Sequence, residues 1–436
     1  MTHQVPEHYC SVSERLSNIL DNVGYSREDR DRTVTNATEF EVFSNMASAL
    51  VRTPRVYIFG SRGEGSTGPG LQSDRDILYQ DNMRTVITDL SQCQPEITNF
   101  LMVKDTHTHP GYAKIQPIII SPDYNQEVYS DVHITTESLN RCALSNTKHQ
   151  YFGTESGPAY HQHHERKEFS VDRVHASRCS QWPQEGYEWF LRRRLNGWPT
   201  PIQIENARKY GCFVTTVGHP YSPECHLEWR LSFSIAERDI TRSFEDTTMK
   251  VYILLKMIRK TYIELVVGDT FSSYHCKVCM IWMRERTPHE LWRNEHLLQC
   301  LVLCIIQLYE WSATGFYPDY FIVTNNINAE RLSEQNRYNT EELLQTQTSF
   351  CIIYLPSEIS ITPKPLRMEM FRSIGAPSEL RKEHFDSWFD WGVVDSVVCL
   401  YFFLYLNFSR QGNDRHKEVA MYNMIHGFIH INSSDV

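Results

Sequence analysis

The sequence lacks an excess of positive charge, a long apolar run and a cysteine framework of repeated pairs. Against 53 Asp+Glu it carries 43 Lys+Arg, a formal net charge of −10, so no global field draws a polyanion onto its whole surface. Nucleic acid would have to meet a local patch. The longest apolar stretch, Val397 to Leu406, is about half of the roughly 20 residues that a membrane span needs. Residues Met1 to Ser11 have neither the basic start nor the apolar core of a secretory leader. Twelve cysteines are scattered singly, which fits reduced thiols rather than a disulfide framework. Glycine and proline are modest at 19 residues each, and no repeat or low-complexity tract is present, so collagen-like and disordered classes are excluded. The expectation is a soluble, cytoplasmic protein with no membrane partner.

What is there is ample core material, with 41% hydrophobic and 12% aromatic residues in 436. Leu16, Leu20 and Val23 recur at helical spacing in residues 11–50, with Gly24 a plausible stop. From residue 55 to 179, short apolar or alternating runs separated by turn formers predict a sheet; among them are Val56 to Phe59, Asp76 to Tyr79, Ile118 to Ile120 and Phe169 to Ala176. Beyond Trp182 helical patterns dominate. Val251, Leu254, Leu255, Ile258, Tyr262 and Leu265 share one face, leaving Lys256, Arg259 and Lys260 toward the other. The run Leu297 to Leu308 is apolar nearly all round and predicts a central buried helix. Three prolines in Pro356 to Pro365 mark a link to a last helical segment, Ser378 to His430. The fold class expected is α+β and two-lobed: a helical spine in 1–50, a lobe with a mixed β-sheet in 51–215, a helical-bundle lobe in 216–355, and a C-terminal helical extension in 356–436.

The chemistry is concentrated in Phe59-Gly60-Ser61-Arg62-Gly63-Glu64-Gly65, followed by Ser73-Asp74-Arg75-Asp76. A strand ending at Phe59 and turning through Gly60-Ser61 offers backbone N–H groups and a hydroxyl to phosphate oxygens. The glycines at 60, 63 and 65 allow close approach to a ligand. Asp74 and Asp76, two apart at the head of an apolar strand, point to one face. Paired carboxylates are costly unless a cation neutralises them, and hard oxygen donors suit Mg²⁺ or Mn²⁺. A solvated strand end is the competing reading of such a pair. A phosphate-gripping turn followed by paired acids is the order a nucleotidyltransferase needs, and two-metal geometry calls for a third carboxylate. Asp172, a charge inside the run Phe169 to Val174, is the candidate, its alternative being an exposed strand residue.

These blocks resemble cyclic GMP-AMP synthase and its animal relatives, the cGAS-like receptor and male-abnormal-twenty-one-like (Mab-like) nucleotidyltransferases. The resemblance runs through Gly60-Ser61, Asp74-x-Asp76 and Ser170-Val171-Asp172 to Trp182-Pro183, then Trp189, Arg192, Arg194 and Trp198-Pro199. It continues in Gly218-His219-Pro220, Glu228 to Ser234, Ala236-Glu237-Arg238, Ser272 to Lys277, Tyr320-Phe321-Ile322 and Asn325-Asn326. It implies that Asp74, Asp76 and Asp172 are catalytic and ligate two Mg²⁺ (or Mn²⁺) ions. It further implies that Gly60 and Ser61 hold a donor triphosphate, that Arg230 contacts the acceptor nucleotide, that Lys256 and Ser273 contact phosphate, and that Tyr274 stacks on a base. Read from the residues alone, the competing readings are Arg230 as a structural ion pair, Tyr274 as a core aromatic and Lys256 as part of a solvated helix face.

The activity so implied is synthesis of a cyclic dinucleotide second messenger of innate immunity from two nucleoside triphosphates such as ATP and GTP, acting on a STING-like receptor. Ile240 to Met249 contains no Cys or His, so the zinc thumb of the vertebrate enzyme is not expected. That favours double-stranded RNA over DNA as activator. The lone Cys276-x-x-Cys279 reads as structural, and His161, His163, His164 and Glu165 as an exposed polar loop with a lesser metal alternative. Residues 185–260 hold twelve Lys/Arg against nine Asp/Glu, densest at Arg192-Arg193-Arg194 and Arg208-Lys209, a weak nucleic-acid signal. Two other readings stay open: a catalytically silent member serving as a binding or developmental regulatory protein, and a template-free nucleotide-adding enzyme.

Overall fold

A computed structural model describes residues 7–51, 53–69, 71, 73–122, 154–156, 159–162, 170–194 and 196–328. The expected proline-marked link, the C-terminal helical segment, the apolar run at 397–406 and residues 163–165 and 169 lie outside the described residues.

The chain opens with α1 (Glu7–Leu20), whose Val12, Leu16, Ile19 and Leu20 form a buried stripe. A short wide turn carries it to Gly24, where φ of +95° breaks the helix before α2 (Arg27–Val51). The glycine predicted as a stop is thus a kink between two helices. The α2 helix guards the edge of the sheet. Its Asn45 side chain donates to Val56 O at 2.8 Å and accepts from Val56 N at 2.7 Å, and Glu41 accepts from Ile58 N at 3.0 Å. An amide that mimics a peptide group in this way occupies the open edge of β1 (Arg55–Phe59), where an unpaired strand would otherwise invite another chain.

Among the described residues the sheet has nine strands, in the order β1-β2-β3-β4-β9-β8-β7-β6-β5. They are β2 (Arg75–Ile87), β3 (Thr98–Val103), β4 (Tyr112–Ile119), β5 (Thr154–Ser156), β6 (Ala159–Gln162), β7 (Val171–Cys179), β8 (Cys212–Thr215) and β9 (Glu228–Ser232). The long strand β2 also pairs in parallel with β7, so the sheet curls back on itself and β2 lies at its centre. Between β1 and β2 comes the five-residue helix α3 (Gly60–Glu64).

Helices cover the sheet: α4 (Pro201–Tyr210), α5 (Ser234–Arg242), α6 (Asp246–Ile258), α7 (Ser273–Arg286) and α8 (Leu297–Thr314). The α4 helix starts on a capping box in which Thr200 and Gln203 satisfy each other's backbone donors, a device typically worth about 1 kcal/mol. One continuous apolar cluster joins sheet residues Phe100, Ala113, Val214 and Trp229 to Leu254 of α6, Met280 of α7 and Ile305 of α8. As predicted, α8 is a core helix, with half of its residues buried and only Glu310, Ala313 and Thr314 exposed. By length and composition residues 294–314 would also suit a membrane, and half of that stretch is packed inside.

The predicted polar face is not a solvated one: Lys256 is buried, and Arg259 and Lys260, just past the end of α6, are half-buried. The α6 residues Thr247 to Met257 are all buried, Lys250 and Lys256 included, because neighbouring elements surround the helix. A buried ammonium must be paired. Lys250 Nζ donates to Ser17 Oγ at 2.8 Å and bridges Asp21 and Asp246 at 2.7 Å each, which ties α6 to the first helix.

Candidate active site

The register of three strands builds the site. Asp76 on β2 lies opposite Asp172 on β7, and Asp172 lies opposite His161 on β6. Opposed residues share a face, so Asp76, Asp172 and His161 form one row, with Asp74 two residues upstream of Asp76. His161 Nδ1 is 2.5 Å from Asp172 Oδ1. One donor atom each from Asp74, His161 and Asp172 lies within 4.8 Å of the others. Asp74 Oδ1 is buried without a protein hydrogen-bond partner.

Asp76 is turned differently. Its Oδ2 faces Gly60, where a Cβ would lie only 1.8 Å away, and Gly60 itself has φ of +62°. Both space and backbone therefore demand glycine there. Burial, then the negative charge of Asp172, raise the Asp76 carboxyl to about 7; Lys277 opposes the shift, and Glu64 and Asp74 add to it. The other glycines of the turn answer to packing rather than ligand approach. A Cβ at Gly63 would lie 2.4 Å from Ile58 O, and one at Gly65 would lie 2.8 Å from Arg30 and Val34.

Below the turn, Lys256 Nζ donates to Ser61 Oγ at 2.8 Å and to Ser66 O at 2.6 Å. Burial lowers its pKa to about 8, with Glu64 pulling the other way. Far from a solvated face, Lys256 holds a positive charge directly behind the Ser61 hydroxyl. Lys277 bridges Glu64 at 2.6 Å and Glu237 at 3.5 Å, and these carboxylates hold its pKa above the ordinary lysine value despite burial. Tyr274 donates to Glu237 at 3.1 Å; burial, then Glu237, raise its phenol pKa.

Two cavities meet at these residues. A compartment of about 310 Å³ is lined by Ser61, Asp74, Asp76, Asp172, Ser273 and Lys277. Its neighbour, about 340 Å³, is lined by Arg230, Thr215, Glu237, Asp319 and Asn325 among others. Gly60, Asp76, Tyr274 and Lys277 belong to both. All nine sequence-predicted site residues thus line this double cavity except Lys256, which supports it through Ser61.

Sequence reasoning gave His161 a metal role only as the lesser alternative to an exposed polar loop; it stands on a strand beside Asp172. Glu64, Glu237, Lys277 and Asp319 were not singled out. Asp319, whose carboxyl burial raises to about 7 while Phe321 and Ile322 N–H groups hold it down, had no local signal at all. Cys276 and Cys279 are buried on α7, where Cys276 Sγ donates to Leu255 O and Cys279 Sγ to Cys304 O. The arginine run is mostly consumed internally. Arg192 and Arg194 pair with the buried Glu285 at 3.2 and 3.3 Å, and Arg192 also donates to Tyr320 O. Arg193, Arg208 and Lys209 remain exposed.

A Gly-Ser turn, paired acids on a central strand and a third acid on its neighbour are the arrangement that a nucleotidyltransferase of the α+β class needs. The model of the Mab-21 protein nucleotidyltransferase domain matches residues 124–243. A cyclic GMP-AMP synthase-like receptor of Magallana gigas is 29% identical over 191 residues, 41% of this chain and 31% of that protein. The chain thus spans about a third of the length of the relative it matches. On these findings the chain is similar to cGAS-like, Mab-21 nucleotidyltransferases. The domain match takes in Asp172 and Arg230; Asp74, Asp76, Lys256, Ser273 and Tyr274 lie outside it.

Nucleotidyltransferases of this kind use divalent ions, and the residues present fit one. Donors on one octahedral ion lie about 3 to 4.3 Å apart at bond lengths near 2.1 Å. The donors of Asp74, His161 and Asp172, within 4.8 Å of one another, come close to that, with the 2.5 Å His161–Asp172 contact having to open, and the partnerless Asp74 oxygen and mutually repelling acids await positive charge.

Proposed function

We propose that this protein is a ligand-activated cyclic dinucleotide synthase. The observation that carries the reading is the juxtaposition of Asp74, Asp76 and Asp172 with the Ser61–Lys256 pair across a cavity divided into two compartments, room for a donor and an acceptor nucleotide. Two divalent ions held by Asp74, Asp76 and Asp172 would neutralise the triphosphate and acidify the acceptor ribose hydroxyl. Ser61, the Gly60 turn, Lys256 and Ser273 bind the donor triphosphate. Arg230 and Tyr274 position the nucleotides in the shared cavity. Asp172 orients the attacking hydroxyl and takes up its proton. Attack at the α-phosphate displaces pyrophosphate, and the linear dinucleotide then turns over for a second, ring-closing attack.

Asp76 stands outside the close donor group and faces Gly60, which supports a resting site that an activator must rearrange. Double-stranded RNA is the proposed activator, with the exposed Arg193, and Arg208 and Lys209 on release from their exposed pairing with Glu205, as cations for phosphate. The product would act on a STING-like receptor. The two-lobed arrangement, with a nucleotide cleft between sheet and helices, belongs to the same proposal.

The test is incubation with α-labelled ATP, GTP, CTP and UTP plus Mg²⁺ or Mn²⁺, run without nucleic acid, with double-stranded RNA and with double-stranded DNA. A phosphatase-resistant product absent from an Asp74→Ala/Asp76→Ala control is expected. A linear, tailed product would point instead to a template-free nucleotide-adding enzyme. Nucleotide and metal binding without turnover under every condition would support a silent regulatory member.

A further inference from the structure

We propose that His161 is a nitrogen ligand of the ion held by Asp74 and Asp172, making the centre a mixed oxygen and nitrogen site that prefers Mn²⁺ to Mg²⁺. The inference rests on the metal-site reading above and goes beyond it in donor set and ion preference. Three observations carry it. His161 stands in cross-strand register with Asp172, so the sheet, not a mobile loop, fixes where its ring lies. One of its ring nitrogens belongs to the group of three donors within 4.8 Å, from which Asp76 is absent. The ring is only partly exposed, with 25% of its side chain accessible, as is that of Asp172.

Without an ion, His161 and Asp172 satisfy each other through the 2.5 Å contact. An ion entering between Asp74 and Asp172 replaces that contact by coordination, as the carboxylate and the neutral imidazole each turn a lone pair toward it. Mg²⁺ is a hard ion that takes oxygen donors and surrenders water reluctantly, so an imidazole adds little to its binding. Mn²⁺, though the weakest binder of the first-row transition series, is softer than Mg²⁺ and loses water more readily, so beside two carboxylates the imidazole nitrogen adds more to its binding than to that of Mg²⁺.

The probe is Mn²⁺ itself, added to the full chain without nucleotide. Electron spin-echo modulation should show the coupling of a directly bound imidazole ¹⁴N, and His161→Gln should abolish it. Titration of free Mn²⁺ should show affinity falling about 10-fold in His161→Gln, a loss of the size common for groups that tune a metal site. Mg²⁺ affinity, measured by competition, should change less than 2-fold. Asp172→Asn and Asp74→Asn supply the second arm. If both lose Mn²⁺ while the wild type shows no bound ¹⁴N, His161 is only a hydrogen-bond partner of Asp172 and this proposal fails alone. If the aspartate variants bind Mn²⁺ like the wild type, the metal-site reading itself is wrong. The wild-type spectrum decides the ligand question even if His161→Gln folds poorly.

Discussion

Asp76→Asn should make the metal-free protein more stable while silencing it. The Asp76 carboxyl titrates at about 7 in the folded chain against an ordinary 3.8, because burial and Asp172 disfavour its charge. In the unfolded chain the group ionises near pH 4, so between pH 4 and 7 the unfolded state loses a proton that the folded state keeps. Stability therefore falls as pH rises through that window, and the penalty is complete above pH 7. At 1.36 kcal/mol per unit the ceiling is about 4 kcal/mol. Asp76 still lines both cavities and meets water there, so about 2 kcal/mol is the expected gain on replacement by neutral Asn. Thermal melts of wild type and Asp76→Asn in chelator should coincide near pH 4 and separate by about 2–3 °C at pH 8, the variant melting higher. Millimolar Mn²⁺ should reverse the order by stabilising only the wild type. A wild type that melts higher than Asp76→Asn at pH 8 in chelator would refute the reasoning, since it would mean that Asp76 is charged and satisfied without an ion.

Other outcomes follow from the same geometry. Gly60→Ala drives a methyl group into Asp76 Oδ2 and strains a backbone at φ +62°, so product formation should fall at least about 100-fold, read by the labelled-nucleotide assay. The pH profile of kcat/KM should rise toward about pH 7 as Asp76 ionises and decline above about pH 8 as Lys256 loses its charge; Lys256→Met should raise KM for the donor triphosphate and flatten the alkaline limb. Tyr320→Phe removes a 2.6 Å hydrogen bond to the buried Glu285, which also holds Arg192 and Arg194, and should cost about 1.5–3 kcal/mol by denaturant unfolding. Glu64→Ala leaves Lys277 buried without its closest partner and should cost about 3–5 kcal/mol, far more than an exposed ion pair such as Arg208–Glu205.

Much of this was legible along the chain. Local pattern is enough for α1 with its buried stripe, the strand into Gly60-Ser61, the sheet between residues 55 and 179, and the apolar α8, because each depends on residues a few positions apart. The paired Asp74 and Asp76 and the third acid at Asp172 were legible too, since a charge inside an apolar strand is visible without a partner. Other features had no local signature. Lys256 looks like part of a solvated helix face until other parts of the chain enclose α6 and set it against Ser61, and Lys250 is enclosed with it and paired to Asp21 of the turn after α1 and Asp246 of its own helix. Arg192 and Arg194 look like a basic patch until Glu285, some ninety residues later, takes them inward. His161 reads as one histidine in a polar cluster, and only the pairing of β6 with β7 sets it against Asp172. The sequence by itself determined the residue types and the order of the site, because chemistry resides in side chains and periodicity in neighbours. Tertiary structure alone decided which charges are buried, which acid faces Gly60 and which nitrogen stands beside Asp172, because strand register and burial arise between segments that are distant in the chain.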